Sequence, residues 1–234
     1  MERLYGQLVT QSRPRGLSRR DAAPRPATVP AAELRDRILT ALVTLLESKR
    51  FAEISVAAII RTAKVSRASF YFYFASKQAV LGELVKDAVG EGMQAAAPWV
   101  ASSEDPLQRL LAGVRSGAEL WRRNAGVLKA IVESWGTDDE LRQLWLDQMN
   151  AFTQAAAARI RTDSVALDYL NGLEVDAVAA SLTWLGERMY YLAAAGVPPF
   201  NDESVLIDTL TNAWTSSIYG QRIPQPADDA ASES

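Results

Sequence analysis

The sequence SVAAIIRTAKVSRASFYFYFASK occupies residues 55–77 and carries the most specific pattern in the chain. Ser55 and Ser66 each precede a short run of residues that suits a helix. A serine oxygen at such a position accepts a hydrogen bond from a free backbone N–H of the first helical turn. The pattern predicts one helix of about two turns up to Ala63 and a second helix that begins at Arg67. Because so few residues separate them, these helices are predicted to form a helix-turn-helix arrangement.

The segments on either side of this motif are also predicted to be helical. Apolar residues at intervals of four, four and three form the stripe of an amphipathic helix over residues 31–49, and they are Leu34, Ile38, Leu42 and Leu45. Ser76 marks the start of a long helix that we expect to end at Pro98. Residues 31–75 are therefore predicted to be a three-helix, helix-turn-helix domain.

The rest of the chain up to residue 220 has the same character. Helix caps and apolar stripes recur, whereas no alternating strand pattern and no internal repeat occur. The fold class is therefore predicted to be all-α, with about nine helices and a larger C-terminal helical domain at residues 76–220. Residues 1–30 and 221–234 hold few large apolar groups, so we expect a disordered basic arm and a disordered tail there.

The charged residues are distributed unevenly. Residues 1–75 contain 13 lysines and arginines against 6 aspartates and glutamates, whereas residues 76–234 contain 12 against 22. A basic N-terminal third suits a polyanion such as a nucleic-acid backbone, and an acidic remainder would be repelled from one. The charges alone are equally compatible with a solvated basic tail and an acidic surface.

Several classes of function are excluded by composition. The chain has no cysteine and no histidine, which excludes Cys/His zinc sites, thiol nucleophiles and Ser-His pairs. No glycine-rich phosphate loop and no paired acids suited to catalysis occur, so we predict a protein that is not an enzyme and needs no cofactor or metal. The chain also lacks the apolar run of a signal peptide or a membrane span, which predicts a cytoplasmic protein without membrane contact.

The helix-turn-helix stretch resembles the DNA-binding signature of the TetR family of transcriptional regulators. The resemblance is carried by Ser55, Ile59, Val65, Ser66, Ser69, Tyr71, Tyr73, Phe74, Ser76 and Lys77. The block 70–74 and the ending 215–220 also resemble the branch that includes the repressor of the ethionamide-activating monooxygenase. Two positions depart from the family pattern: Lys64 stands where glycine is usual, so a lysine would have to adopt a positive φ, and Ile60 replaces alanine.

Arg67 lies at the end of the second helix that would enter a major groove. Its guanidinium group can donate two hydrogen bonds to O6 and N7 of guanine, although a phosphate contact is an alternative. The family resemblance implies phosphate contacts for Ser69, Tyr71, Tyr73 and Lys77, whereas Phe70 and Phe74 are expected in the core. The predicted DNA-binding set is Ser55, Ser66, Arg67, Ala68, Ser69, Tyr71, Tyr73 and Lys77.

All six tryptophans lie between residues 76 and 220, where they can fill a core or line an apolar cavity. Alignment with the resembling branch implies a ligand-binding set of Trp121, Trp145, Met149, Phe152, Thr183 and Trp214. Asparagines that the branch would place near Thr183 and Gly186 are missing, so a different ligand is expected. Glu187 and Arg188 could orient a ligand, but an ion pair at the surface or in a dimer interface is the favoured interpretation.

The resemblance implies a homodimer that pairs through the last two helices and binds a palindromic double-stranded DNA operator. It further implies a repressor that a hydrophobic small-molecule effector releases from the DNA. The alternative is a helical carrier or sensor of hydrophobic molecules that does not bind DNA, for which Ile60 and Lys64 are the only indications.

Overall fold

The computed structural model describes residues 31–101 and 105–220, and the predicted arm and tail lie outside these ranges. The described part is all-helical, as predicted. Its α-helices are α1 (Ala31–Leu46), α2 (Val56–Ala63), α3 (Arg67–Tyr73), α4 (Lys77–Ala101), α5 (Pro106–Arg123), α6 (Ala125–Ser134), α7 (Asp139–Arg161), α8 (Ser164–Leu170), α9 (Val175–Ala194) and α10 (Glu203–Tyr219). Single 3₁₀ turns occur at Phe51–Glu53 and Trp135–Thr137.

Two details of the helices were not anticipated. The described residues contain ten helices, in line with the predicted number of about nine, and α8 is the additional one. Its cap is Asp163, whose carboxylate accepts hydrogen bonds from the backbone N–H groups of Val165 and Ala166, yet α8 leaves several apolar residues exposed and shows no clear stripe. Helix α4 also continues past Pro98 to Ala101. Pro98 has no backbone N–H and so removes one hydrogen bond of the helix, yet three further helical residues follow it.

The predicted helix starts are confirmed by hydrogen bonds. Ser55 Oγ accepts a bond of 3.1 Å from Ala58 N, and Ser66 Oγ accepts one of 2.9 Å from Ser69 N. Asp105 begins α5 in the same way, with Pro106 at the first helical position. These caps satisfy backbone donors that have no partner inside their helices and so fix where each helix begins.

The largest hydrophobic core is continuous across the predicted boundary between residues 75 and 76. It joins Ile38 and Leu42 of α1 and Phe70 of α3 to Val85 of α4 and Ile131 of α6. Phe70 is fully buried and Phe74 is 6% exposed, which confirms that these rings belong to the core. The helix-turn-helix segment is therefore packed directly onto the C-terminal helices.

No helix of the described ranges is long and apolar enough to cross a membrane.

Candidate DNA-binding surface and ligand cavity

The N-terminal end of α3 is a well-defined exposed surface. Ser66 caps the helix through Ser69 N, and the two serine oxygens lie 2.8 Å apart. Arg67 and Ala68 follow on the exposed side, and Phe70 on the opposite side anchors the helix in the core. The buried ring fixes how α3 is rotated, so Arg67 is presented to the outside by packing rather than by chance.

Arg67 is positioned by Tyr71, which lies one turn further along α3. The guanidinium carbon of Arg67 is 5.4 Å from the centre of the Tyr71 ring, the geometry of a cation–π contact. Tyr71 is itself 46% exposed. The contact limits the conformations of the arginine side chain while leaving its N–H groups directed to solvent, which suits the bidentate recognition of a base edge or a phosphate.

The turn before α3 adopts the strained conformation that its sequence suggested. Lys64 has φ 53° and ψ 44°, which is the left-handed region that glycine occupies without cost. The Lys64 backbone N–H donates hydrogen bonds to the carbonyl oxygens of Ile60 and Arg61. Arg37 Nη2 donates a hydrogen bond of 3.0 Å to the carbonyl oxygen of Lys64. The tight turn is therefore formed despite the lysine, and α1 helps to hold it.

The ammonium group of Lys77 points into the protein. Its Nζ donates to the carbonyl oxygens of Phe51, Ile54 and Ala52 at 2.9, 2.7 and 3.4 Å, and it lies 4.6 Å from the centre of the Phe51 ring. Burial lowers the pKa of Lys77. These three carbonyls engage all three N–H donors of the ammonium group, so Lys77 joins α4 to the 3₁₀ turn before α2.

Phe72 is an exposed aromatic residue that the sequence analysis did not single out. It is 79% exposed on α3, and its ring packs edge-on against Tyr73 at 4.9 Å between centres. Because the neighbouring Phe70 and Phe74 are core residues, the row of aromatics 70–74 gave no sign of which ring points outward. A large exposed aromatic on the same short helix as an exposed arginine is a feature of binding surfaces.

The predicted DNA-binding residues therefore divide into two groups. Arg67, Ala68, Ser69 and Tyr71 lie together on or near the exposed side of α3, and Tyr73 is half-buried at its end. The hydroxyl groups of Ser55 and Ser66 are engaged in helix caps, and the ammonium group of Lys77 is engaged by backbone carbonyls. The direct DNA contact of each residue stays a prediction.

The second candidate site is an apolar cavity with about 200 Å³ of open space, and residues of α4, α5, α6, α7, α9 and α10 line it. All residues of the predicted ligand-binding set line it, namely Trp121, Trp145, Met149, Phe152, Thr183 and Trp214. A buried concave site with mostly apolar walls and few polar groups is typical of small-molecule binding. Ligand binding by these residues stays a prediction.

One wall of the cavity depends on a close contact between α5 and α9. The ring of Tyr190 stacks on Trp121 with centres 6.3 Å apart, and a Cβ atom at Gly117 would lie 2.5 Å from the Tyr190 hydroxyl oxygen. Burial raises the pKa of the Tyr190 phenol well above its usual value, so this group stays neutral. The Tyr190 side chain can occupy this position only because residue 117 is glycine and has no Cβ atom. No local sequence pattern reveals this relationship between two distant residues.

The structure places Glu187 and Arg188 differently with respect to solvent. Glu187 is 5% exposed and lines the cavity, whereas Arg188 is on the exposed side of α9. Arg188 Nε lies 3.7 Å from Glu187 Oε2, which is an ion-pair distance but too long for a hydrogen bond. Burial raises the pKa of the Glu187 carboxyl group, and the nearby arginine opposes that rise. Glu187 is therefore a buried cavity residue that is paired with an exposed arginine, and the location of this pair in a dimer interface stays a prediction.

No group of three or more metal-ligating side chains occurs within residues 31–101 and 105–220.

Two family models match this chain. Residues 38–84 match the family described as bacterial regulatory proteins, tetR family, and residues 110–220 match the family described as transcriptional regulator EthR, C-terminal domain. The first match covers α2, α3 and the start of α4, and the second covers most helices around the cavity.

Individual proteins are similar over most of the chain. The HTH-type transcriptional regulator EthR of Mycolicibacterium smegmatis is 34% identical over 190 residues, which are 78% of this chain and 85% of that protein. EthR of Mycobacterium tuberculosis is 31% identical over 191 residues, 80% of this chain and 88% of that protein. A crystal structure from Syntrophomonas wolfei, described as a putative TetR-family transcriptional regulator, shares the fold with a TM-score of 0.67 and 17% identity, covering 84% of this chain and all of that one.

Proposed function

The chain belongs to the TetR family of transcriptional regulators, and we propose that it is a homodimeric repressor that an apolar ligand releases from a palindromic DNA operator. The observation that carries this proposal is the exposed Arg67 at the start of α3, held over Tyr71 on a helix whose other side is anchored in the core. Because a protein that binds a DNA operator must be in the compartment that contains the DNA, the proposal includes a cytoplasmic location.

Sequence would be read by the first turns of α3. Arg67 can donate two parallel hydrogen bonds to guanine, and the exposed ring of Phe72 can contact a thymine methyl group. Ser69, Tyr71 and Tyr73 would contact phosphates and set the register of the helix in the groove. Lys77 is left out of this set because backbone carbonyls already engage its ammonium group.

Dimer formation is supported by apolar residues exposed near the C-terminal helices. Leu185 of α9 is 39% exposed, and the short helix α8, which packs against α10, exposes Val165 by 61% and Tyr169 by 51%. Large apolar residues that are exposed on a surface favour a protein partner, and a two-fold pair would bury the same residues on both copies. Such a pair would present two α3 helices to successive major grooves, about 34–36 Å or a modest multiple apart.

Helix α4 provides the physical connection from the cavity to α3. At its start Lys77 bonds to the carbonyls of the turn before α2, and twelve residues later Val89 lines the cavity. A helix rises 1.5 Å per residue, so about 18 Å of one rigid element separates the two points. A ligand that binds more tightly to one position of α4 would favour the dimer state with the corresponding spacing of the two α3 helices. The free-energy difference between the two states would change by no more than the difference in the ligand's binding free energy for them.

The experiment is a selection of bound duplexes from random DNA by the full chain. We expect enrichment of a palindrome with two half-sites at a fixed spacing. The Arg67→Ala variant should show no base preference at one position of each half-site. Its binding free energy for the palindrome should be weaker by about 1–3 kcal/mol. Arg115→Ala, on the exposed side of α5, is the matched control and should enrich the same palindrome as the wild type. Absence of any enriched sequence would contradict the proposal and support a carrier or sensor that does not bind DNA.

A further inference from the structure

The cavity contains an acidic group whose hydrogen-bonding capacity is not used. Glu187 is 5% exposed, and among the described residues no donor lies within hydrogen-bond distance of its Oε1. The rest of the cavity is almost wholly apolar, with Trp121, Met149 and Phe152 among its walls. Buried polar groups in folded proteins nearly always have partners, so an unused carboxyl oxygen in a ligand cavity indicates a missing donor.

Arg188 does not supply that donor. Its Nε atom is 3.7 Å from the other carboxyl oxygen, and its guanidinium group lies over the ring of Tyr191, 5.1 Å from the ring centre. The Arg188 side chain is 52% exposed and hydrated, so its charge only partly compensates Glu187. Tyr191 in turn donates to Glu133 rather than to Glu187. The carboxyl group therefore retains the capacity to pair with a second cation.

We propose that the ligand of this cavity is an apolar molecule that carries a basic amine, and that Glu187 binds the amine as its ammonium ion. This inference rests on the proposed function, because it names the chemical class of the effector. The apolar walls would take the hydrocarbon or aromatic body, and the buried carboxylate would take the charge. The pair would also remove the cost of an isolated acidic group in an apolar site.

The alternatives fit the same cavity less well. A carboxylate ligand would bring a second negative charge beside Glu187 in surroundings of low dielectric, which is unfavourable. An alcohol would donate a hydrogen bond to the carboxylate but would bring no positive charge to compensate the buried negative one. Trp145 Nε1 is also buried and lacks a partner among the described residues, so a hydrogen-bond acceptor on the body of the ligand would have a donor available.

Three probes of matched shape test the proposal: 4-phenylbutylamine, 4-phenylbutanol and 4-phenylbutyrate. Their binding to the full chain without DNA is measured by calorimetry at neutral pH. We expect the amine to bind about tenfold or more tightly than the alcohol, and the carboxylate to bind most weakly. An alcohol or carboxylate that binds as tightly as the amine, or failure of all three to bind, would overturn the proposal.

Two variants assign the effect to Glu187. Glu187→Gln keeps the size of the side chain and should make the amine and alcohol affinities equal. Arg188→Gln, at an exposed position, removes the competing cation and should strengthen amine binding several-fold while leaving the alcohol unchanged. An amine preference that persists in Glu187→Gln, or that is unaltered in Arg188→Gln, contradicts the assignment.

The DNA selection is performed without any probe, so the two proposals fail separately. Enrichment of a palindrome together with no amine preference rejects only the ligand class. An amine preference that depends on Glu187 without enrichment of any DNA rejects only the repressor.

Discussion

The hydroxyl group of Tyr190 donates a hydrogen bond of 2.9 Å to the carbonyl oxygen of Val114, and this bond joins α9 to α5 at the wall of the cavity. The contact is possible because Gly117, one turn after Val114, has no side chain in the space that the phenol fills. The shape of the cavity is thus set by a glycine and a tyrosine that lie far apart in the sequence.

Replacing Gly117 by alanine should damage the cavity. The added methyl group would lie 2.5 Å from the Tyr190 oxygen, so the ring must move and its bond to Val114 must break. We expect the free energy of unfolding to fall by about 1–3 kcal/mol and ligand affinity to decrease. The measurement is denaturant unfolding with calorimetry of 4-phenylbutylamine. Gly90→Ala on α4, where no atom lies within 4 Å of the added carbon, is the control and should not be destabilised.

Replacing Lys64 by glycine should stabilise the protein. Lys64 adopts a positive φ of 53°, which costs a lysine about 1–2 kcal/mol, while glycine loses some of that advantage through its greater freedom in the unfolded chain. We expect the free energy of unfolding to rise by about 0.5–1 kcal/mol. Ala57→Gly, at an exposed helical position of α2, should instead lower it by about 1 kcal/mol. A Lys64→Gly variant less stable than the wild type would show that this lysine makes contacts that outweigh its backbone strain.

Replacing Lys77 by methionine should affect folding more than phosphate binding. The change leaves three carbonyl oxygens without their shared donor, so we expect a loss of about 2 kcal/mol in the free energy of unfolding. Among folded molecules the salt dependence of DNA affinity should be unchanged, because that slope counts neutralised phosphates. Lys86→Met, at an exposed position of α4, is the control for stability. Normal stability with a shallower salt slope would identify Lys77 as a phosphate contact.

Glu187 should make stability depend on pH in a defined direction. Its pKa in the folded protein is raised above the ordinary value of 4.5, chiefly by burial and against the opposing charge of Arg188. The folded state therefore holds the proton more tightly than the unfolded state. The contribution of Glu187 to the free energy of unfolding therefore decreases as the pH rises from about 4.5 through the raised pKa of the folded state.

Glu187→Gln lacks this titration. Its free energy of unfolding, relative to the wild type, should therefore increase with pH across the same window. The measurement is denaturant unfolding of both proteins at a series of pH values, with the exposed Glu140→Gln as control for the substitution itself. Parallel curves for Glu187→Gln and the wild type would mean that Glu187 has the same proton affinity in both states.

The parts that the sequence predicted correctly are those that depend on local chemistry. Ser55 and Ser66 cap their helices because a serine oxygen needs only the next turn of its own chain. The positive φ of Lys64 was expected because the resembling family usually has glycine at this position. The residues around the cavity were identified through resemblance to a family rather than through any pattern of their own.

The parts that the sequence did not predict depend on distant segments. Glu187 stands beside an arginine, which suggests a surface pair, but its burial is decided by how α9 packs against α5 and α7. The bonds of the Lys77 ammonium group were not predicted, because carbonyls from residues 51–54 lie within reach of it only after folding, and its contact with DNA stays a prediction. The outward direction of Phe72 among five successive aromatic residues depends on which of them the core accepts.

Sequence-specific DNA binding is the central claim, and competition between the selected palindrome and its scrambled version tests it most directly. Fluorescence anisotropy of the labelled palindrome is followed at rising salt with either DNA as competitor. We predict that the palindrome binds about a thousandfold or more tightly and that this preference persists as salt weakens both affinities. Equal competition by the two DNAs, with binding lost in parallel as salt rises, would contradict the account.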